Sequence, residues 1–299
     1  MSNILVSGLL NIETTARIRS FPIPYYPIDY PFFGVNTDVA GVGYNLASAL
    51  AALGDQVRLC SMLGDDLAGK MVRSRLTERG ISADHIPSSL RETPVSAVLY
   101  DGDGRRQIYC DLKDIQEATY AFPDSVLDGI QLVAACNTNF NRPLLSLAEA
   151  RGIETATDVH VLSNPDDEYN CQFMLHAKIL FLSDEGIYGD KRDFIQQLEN
   201  RYRNEIIVLG MGARGALMYW KAEGRFFELP AYQIGGVVNT VGAGDSLFGA
   251  FLHYYAKGDH PLTALDKAQL FAALKIRHAG AANGFSSEKE LESFFHDLK

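Results

Sequence analysis

Short apolar runs alternate with amphipathic stretches along most of this chain. Ile4–Val6, Val57–Leu59, Leu132–Ala135, Ile179–Leu182 and Ile206–Leu209 are each bounded by turn or polar residues, the pattern of buried strands. Stretches with helical spacing fall between them. Residues 45–53 carry Leu46, Ala49, Leu50 and Leu53 on one face and stop at Gly54. Residues 246–257 carry Leu247, Phe248, Phe251, Leu252 and Tyr255 and stop at Gly258. Strands alternating with helices predict an α/β fold, a mostly parallel sheet covered by helices on both faces. At the end of the chain, Leu291, Phe294, Phe295 and Leu298 predict a docking helix over 286–299.

Two segments break this rhythm. Residues 14–38 are rich in proline and aromatics, with no helical period. Residues 95–110 read as a hairpin: Val95–Tyr100, a turn at Asp101-Gly-Asp-Gly104, then Gln107–Cys110. Together they predict a small β subdomain projecting from the sheet, a candidate lid made of about 14–38 and 95–112; a decorated sheet edge is the alternative. With no repeat and no linker, the remainder reads as a single domain over 1–299.

Composition narrows the function classes. A chain of 299 residues with 47% hydrophobic and 21% charged residues can bury a sizeable core. A formal charge of −10 argues against a nucleic-acid or anionic-membrane partner. It does not exclude ATP, because an anion site needs only local N–H groups and a cation or two. Cys60, Cys110, Cys136 and Cys171 are scattered, which predicts a reducing compartment rather than a disulfide lattice or a zinc site. No histidine spacing suggests a structural metal. The first residues lack a basic stretch followed by a long apolar run, and no apolar stretch could span a bilayer, so a soluble cytoplasmic protein is expected.

Two motif matches fail on their surroundings. Gly64-Asp-Asp-Leu-Ala-Gly69-Lys70 nearly spells a phosphate loop, but Met71 stands where a metal-binding Ser or Thr is needed, and Asp65 and Asp66 would repel phosphate. A turn into a helix is the better reading. Gly210-Met-Gly212-Ala-Arg-Gly215 has dinucleotide spacing, yet Ala216–Trp220 after it reads as a strand rather than the required helix.

The strongest chemical signal is Val238-Asn239-Thr240-Val241-Gly242-Ala243-Gly244-Asp245-Ser246, just before the helix of 246–257. Glycines at 242 and 244 let several N–H groups converge, and the helix start adds unsatisfied donors and a positive dipole end. Such a turn suits a phosphoryl group in transfer, with Asp245 placed to take a proton from an attacking hydroxyl. An aspartate that merely complements the helix dipole is the plainer reading of these residues alone.

This segment resembles the C-terminal signature of the PfkB, or ribokinase, family of carbohydrate and nucleoside kinases, whose usual form is Asp-Thr-x-Gly-Ala-Gly-Asp. Ala40-Gly41-Val42-Gly43-Tyr44-Asn45-Leu46-Ala47 is similar to the family's N-terminal Gly-Gly-x-Gly-x-Asn-x-Ala. Gly8-Leu-Leu-Asn11-Ile-Glu13 looks like the end of a first strand carrying substrate ligands. Leu63-Gly64-Asp65-Asp66 with Gly69 resembles a family turn, and Ile207–Gly215 a strand and glycine turn near the nucleotide.

The resemblance implies a ribokinase-like fold and transfer of the γ-phosphoryl of ATP to a sugar hydroxyl. It implies Asp245 as base, the Gly242, Ala243 and Gly244 backbone as anion hole, and Asn11, Glu13, Gly41 and Asn45 as ligands of substrate hydroxyls. Gly212 and Thr240 would lie against ATP, with Mg²⁺ bridging its phosphates, and the lid would form a homodimer contact. Three departures stand out. Asn239 replaces the usual acid, which puts a monovalent cation in question. Asp184 and Ile187 stand where Asn-x-x-Glu is common, so that Asp184 or Glu185 would serve the metal. Glu13 is one methylene longer than the usual Asp. A nucleoside kinase, a weakly catalytic sugar-binding or regulatory protein and, on Gly210–Gly215 alone, an NAD-dependent oxidoreductase are the competing readings.

Overall fold

The computed structural model describes residues 1–103 and 105–298. Its main sheet has eight strands, in the spatial order Arg225–Leu229, Ala216–Trp220, Ile206–Gly210, Ile179–Ser183, Glu154–Val161, Leu132–Ala135, Asn3–Ser7 and Gln56–Cys60. The pairs from Ile206–Gly210 through Gln56–Cys60 are parallel; the two strands at the other edge run antiparallel. All five strands expected from apolar runs are present.

Period-two alternation within those runs divides the core into two layers. Ile4, Val6, Leu132, Ala134, Ile179, Phe181, Ile206 and Val208 face one core; Leu5, Val133, Leu180, Leu182, Ile207 and Leu209 face the other. The first core is closed by helices Val42–Ala52, Leu67–Glu78, Ala243–Ala256, Pro261–Lys275 and Glu288–Asp297. The second is closed by Arg142–Ala150, Cys171–His176 and Lys191–Tyr202. Uninterrupted apolar strands are therefore buried on both sides, the α/β architecture the pattern predicts.

Several boundaries differ from the sequence reading. The helices placed at 45–53 and 246–257 begin three residues earlier, at Val42 and Ala243, so their glycines form the first turn. A bare glycine turn offers no apolar period to extend the reading upstream. Glu154–Val161 is a central strand in which polar Thr155, Thr157 and Asp158 are interleaved. In the last helix Leu291 and Phe295 dock, while Phe294 and Leu298 are exposed. Lys299, assigned to that helix, and Gly104, assigned to the hairpin turn, lie outside the described residues.

Both motif refusals hold. Residues 67–78 are helical, with Asp66 as cap accepting from the Gly69 N–H. Ala216–Trp220 is a strand antiparallel to Ile206–Gly210, so a strand rather than a helix follows Gly215.

A second, four-stranded sheet is ordered Val35–Ala40, Asn11–Arg17, Val95–Tyr100 and Arg106–Asp111. Its central pair is parallel and its flanking pairs antiparallel. The first strand of the main sheet ends at Ser7, so Asn11 and Glu13 open a strand of this second sheet rather than closing the first strand. Between Arg17 and Val35 the chain forms neither helix nor strand, and Tyr25, Tyr30, Phe32 and Phe33 are exposed.

Candidate active site

Strand order reverses direction at the pair Asn3–Ser7 and Leu132–Ala135. Chain progression runs one way to Gln56–Cys60 and the other way to Glu154–Val161, which opens a crevice at the strands' carboxyl ends. Two helix starts meet there. Gly41, at φ +100°, lets the first one in: a Cβ would stand 2.5 Å from the Leu9 carbonyl oxygen. The Gly43 N–H then donates to that same carbonyl at 3.0 Å. Helix Val42–Ala52 thereby presents Asn45, and helix Ala243–Ala256 presents Asp245. Asn45 Nδ2 donates to Asp245 Oδ2 at 2.7 Å.

Asp245 sits at the floor of the crevice, enclosed by protein but still touched by solvent. Burial pushes its carboxyl above the usual range, and Asp158 adds to the rise; the Asn45 hydrogen bond, His160 and Lys275 pull against it. Such a carboxylate is a stronger proton acceptor than a solvated one and is oriented by its amide partner.

The turn before the helix is tightly built. Gly242 has φ +77°, and a Cβ there would lie 2.3 Å from the Ala281 carbonyl oxygen. Ser246 donates to the Gly242 carbonyl through both its N–H, at 3.0 Å, and its Oγ, at 2.6 Å. The Ala243 N–H donates to the Thr240 carbonyl at 3.2 Å. Among the described residues, the N–H groups of Gly242, Gly244 and Asp245 have no protein acceptor. The free donors are thus Gly242, Gly244 and Asp245 itself. Ala243, expected among them, is occupied within the turn.

Asn11 and Glu13 share one face of their strand, two residues apart. Asn11 Nδ2 donates to Ser96 Oγ at 2.9 Å. Its Oδ1 and that of Asn45 are buried without a donor. An unsatisfied buried acceptor costs about 1–3 kcal/mol, and here there are two. A polyol would cancel that cost by donating hydroxyl hydrogens. Burial raises the Glu13 carboxyl, the nearby Asp245 raises it further, and Lys275 and Arg106 oppose the shift.

The residues expected near a nucleotide are more dispersed. Asp184 follows strand Ile179–Ser183 and is ion-paired to both Lys191 and Arg214, so its charge is already spent on two cations. Among the described residues, no hydrogen bond or ion pair joins it to Asp245. Gly212 has φ +57° with open space where a Cβ would be, and Thr240 is exposed. Ile187 packs against the second core, and Glu185 is exposed. Two concavities of about 320 Å³ and 260 Å³ lie beside Lys191 and Arg214 and beside Asp38 and Tyr44, respectively; neither contains Asp245.

Three residues enter the site that the sequence reading left out of it. Asp158 and His160 end a central strand and act electrostatically on Asp245. Lys275 is fully buried at the end of helix Pro261–Lys275 and acts on both Asp245 and Glu13. Trp220 lies against the first core and edge-on to His260.

Known proteins are similar to this chain in sequence and in fold. The chain is 24% identical to a deoxyribokinase of Salmonella typhi, with 98% of each chain covered. It is 25% identical to a ribokinase of Schizosaccharomyces pombe, covering 99% of this chain and 98% of the relative. In fold it resembles a microbiome-derived acarbose kinase, at TM-score 0.85 and 24% identity with 99% of each chain covered. It also resembles an Arabidopsis thaliana ribokinase complexed with ribose and ATP, at TM-score 0.83 and 18% identity with 98% of each covered. The sequence pattern described as pfkB family carbohydrate kinase matches residues 1–289, which include both helix starts and the second sheet, and the chain belongs to that family of carbohydrate kinases.

Proposed function

We propose that the protein transfers the γ-phosphoryl group of MgATP to a hydroxyl of a small sugar or sugar derivative. The observation that carries this reading is the 2.7 Å contact between Asn45 and Asp245, beside a helix start whose Gly242, Gly244 and Asp245 N–H groups are free. The sugar hydroxyl gives its proton to the Asp245 carboxylate as its oxygen bonds to phosphorus. The bond from phosphorus to the β,γ-bridging oxygen breaks, and ADP leaves. Charge building on the phosphoryl oxygens is met by the three N–H groups and the helix dipole.

Asn11, Glu13, Gly41 and Asn45 hold the sugar, the two orphaned amide oxygens accepting from its hydroxyls. Gly212 and Thr240 lie along the nucleotide. The metal comes with the nucleotide as part of the substrate. Asp184 acts indirectly, by holding Lys191 and Arg214. The second sheet is read as a lid on a single domain. Strand Arg106–Asp111, exposed at every residue, suits a lid-to-lid homodimer. A cytoplasmic location fits four unpaired cysteines.

A nucleoside acceptor is the second reading. It is favoured by the exposed rings of Tyr25, Tyr30 and Phe32 near the lid, which could cover a base, and by a 21% identical relative, a nucleoside kinase of Methanocaldococcus jannaschii. A panel of sugars and nucleosides with ADP release as readout separates the two: turnover of nucleosides alone overturns the sugar assignment. Asp245→Asn should lower turnover by about 10²–10⁴-fold with sugar affinity nearly intact. Full activity in that variant would remove Asp245 from the mechanism.

A further inference from the structure

Lys275 is a lysine with no exposed surface, buried where the chain holds its most important carboxylates. A buried ammonium is costly unless it is paired and hydrogen-bonded. Its hydrogen-bond acceptor is a main-chain group, the carbonyl of Val241. Burial lowers its pKa to about 8, against the opposing pull of Asp245 first and Glu13 second. Its position at the carboxyl end of a helix adds the favourable end of the dipole.

The acceptor's identity gives this lysine a role. Val241 and Gly242 share one peptide unit, and in a trans peptide the C=O and N–H point in opposite directions. A cation fixed on the Val241 carbonyl therefore aims the Gly242 N–H away from itself. That N–H is one of the three free donors at the helix start. Pulling electron density toward the carbonyl also makes the N–H a stronger donor. Further bonds tie the same loop to the same helix end: the Val238 and Asn239 N–H groups donate to the Ile276 carbonyl at 2.9 and 3.1 Å. Asn239 Oδ1 in turn accepts from the Val241 N–H at 2.8 Å.

We propose that Lys275 is the built-in cation of the phosphoryl-transfer site: it fixes and polarises the Val241–Gly242 peptide and balances Asp245 and Glu13, so that no dissolved monovalent cation is needed there. The inference rests on the kinase reading above and assigns Lys275 as a positioning residue. It also accounts for an uncharged Asn239 in the loop, where a lysine already supplies the positive charge.

Turnover of the native enzyme should be the same, within about twofold, in potassium and in tetramethylammonium buffers. Lys275→Met keeps the length and removes the charge. It should lower kcat about a hundredfold, the scale of losing one anion-hole donor, with the sugar KM changed only a few-fold. Lys275→Ala opens space, and potassium, ammonium or methylamine should restore part of its activity. In crystals of that variant soaked with thallium(I), an anomalous peak should stand at the Val241 carbonyl, absent from the native protein. A native enzyme that requires potassium overturns the proposal. So does a Lys275→Met enzyme with native kcat, or a Lys275→Ala crystal without the peak. The buffer comparison needs no variant to fold. The soak needs no turnover, so it reports on Lys275 even if the kinase reading fails.

Discussion

Gly242 and Gly244 stand two residues apart in one turn, yet alanine at each should act through a different property. At Gly244 an added Cβ meets no heavy atom within 4 Å, and the backbone is in a region open to any residue. Since Gly244 lies in the first turn of helix Ala243–Ala256, alanine should stabilise the fold by roughly 0.4–1 kcal/mol through reduced freedom of the unfolded chain. The same methyl would sit on a residue whose own N–H is one of the free donors, where the proposed mechanism brings the phosphoryl group to rest. A displacement of about 1 Å there costs about 10²-fold in rate. At Gly242 the added Cβ falls 2.3 Å from the Ala281 carbonyl oxygen at φ +77°, so the turn itself must shift. Strain of that kind costs about 1–3 kcal/mol. Urea unfolding at constant m value, paired with kcat from ADP release, separates the effects. Gly244→Ala should be at least as stable as the parent and about a hundredfold slower; Gly242→Ala should be both less stable and slow. A Gly244→Ala enzyme with parental kcat would refute the placement of the phosphoryl group at this helix start.

Two further outcomes follow from buried charges. The kcat/KM profile against pH should be bell-shaped. Activity is lost on the acid side as Asp245 takes a proton, at a pH above that of an ordinary aspartate because burial raises it, and lost on the alkaline side as Lys275 gives one up near its pKa of about 8. The groups facing Lys275 are Asp245, Glu13 and the Val241 carbonyl, so an alkaline limb unchanged in Lys275→Met would assign it to another group. At the far end of the Asp245 helix, His253 Nδ1 lies 2.7 Å from Asp55 Oδ2, both side chains almost fully buried, and Asp55 Oδ1 also accepts from the Ser2 N–H at 3.1 Å. Asp55→Ala strands that network and should cost about 3–5 kcal/mol in urea unfolding, with kcat of the folded enzyme unchanged; a loss under 1 kcal/mol would contradict this.

The place of Asp245 at a helix start was legible because a glycine-rich turn before an apolar periodic stretch announces one, and a helix start is already an anion site; Asn45 entered only through the family resemblance. The parallel sheet was legible because its strands are uninterrupted apolar runs. Asp158 and His160 carry no such signal, since their strand interleaves polar residues with apolar ones. The division of labour within the glycine turn was not legible at all: no one-dimensional pattern says that Ala243 bonds to Thr240 while Asp245 keeps its own N–H free. Lys275 is the instructive case. A lysine in the last turn of a helix ordinarily caps the dipole and reaches water. Here Ala264, Ala268, Phe271 and Lys275 fall on one stripe at helical spacing, and every one of them is buried. The signal was therefore present as a charge on an apolar face. What it lacked in one dimension was its partners, because Val241 lies 34 residues away and Glu13 is on the second sheet. A charge placed against the hydrophobic period is costly unless something distant repays it, and in this chain the repayment comes from the Val241 carbonyl and the carboxylates of Asp245 and Glu13.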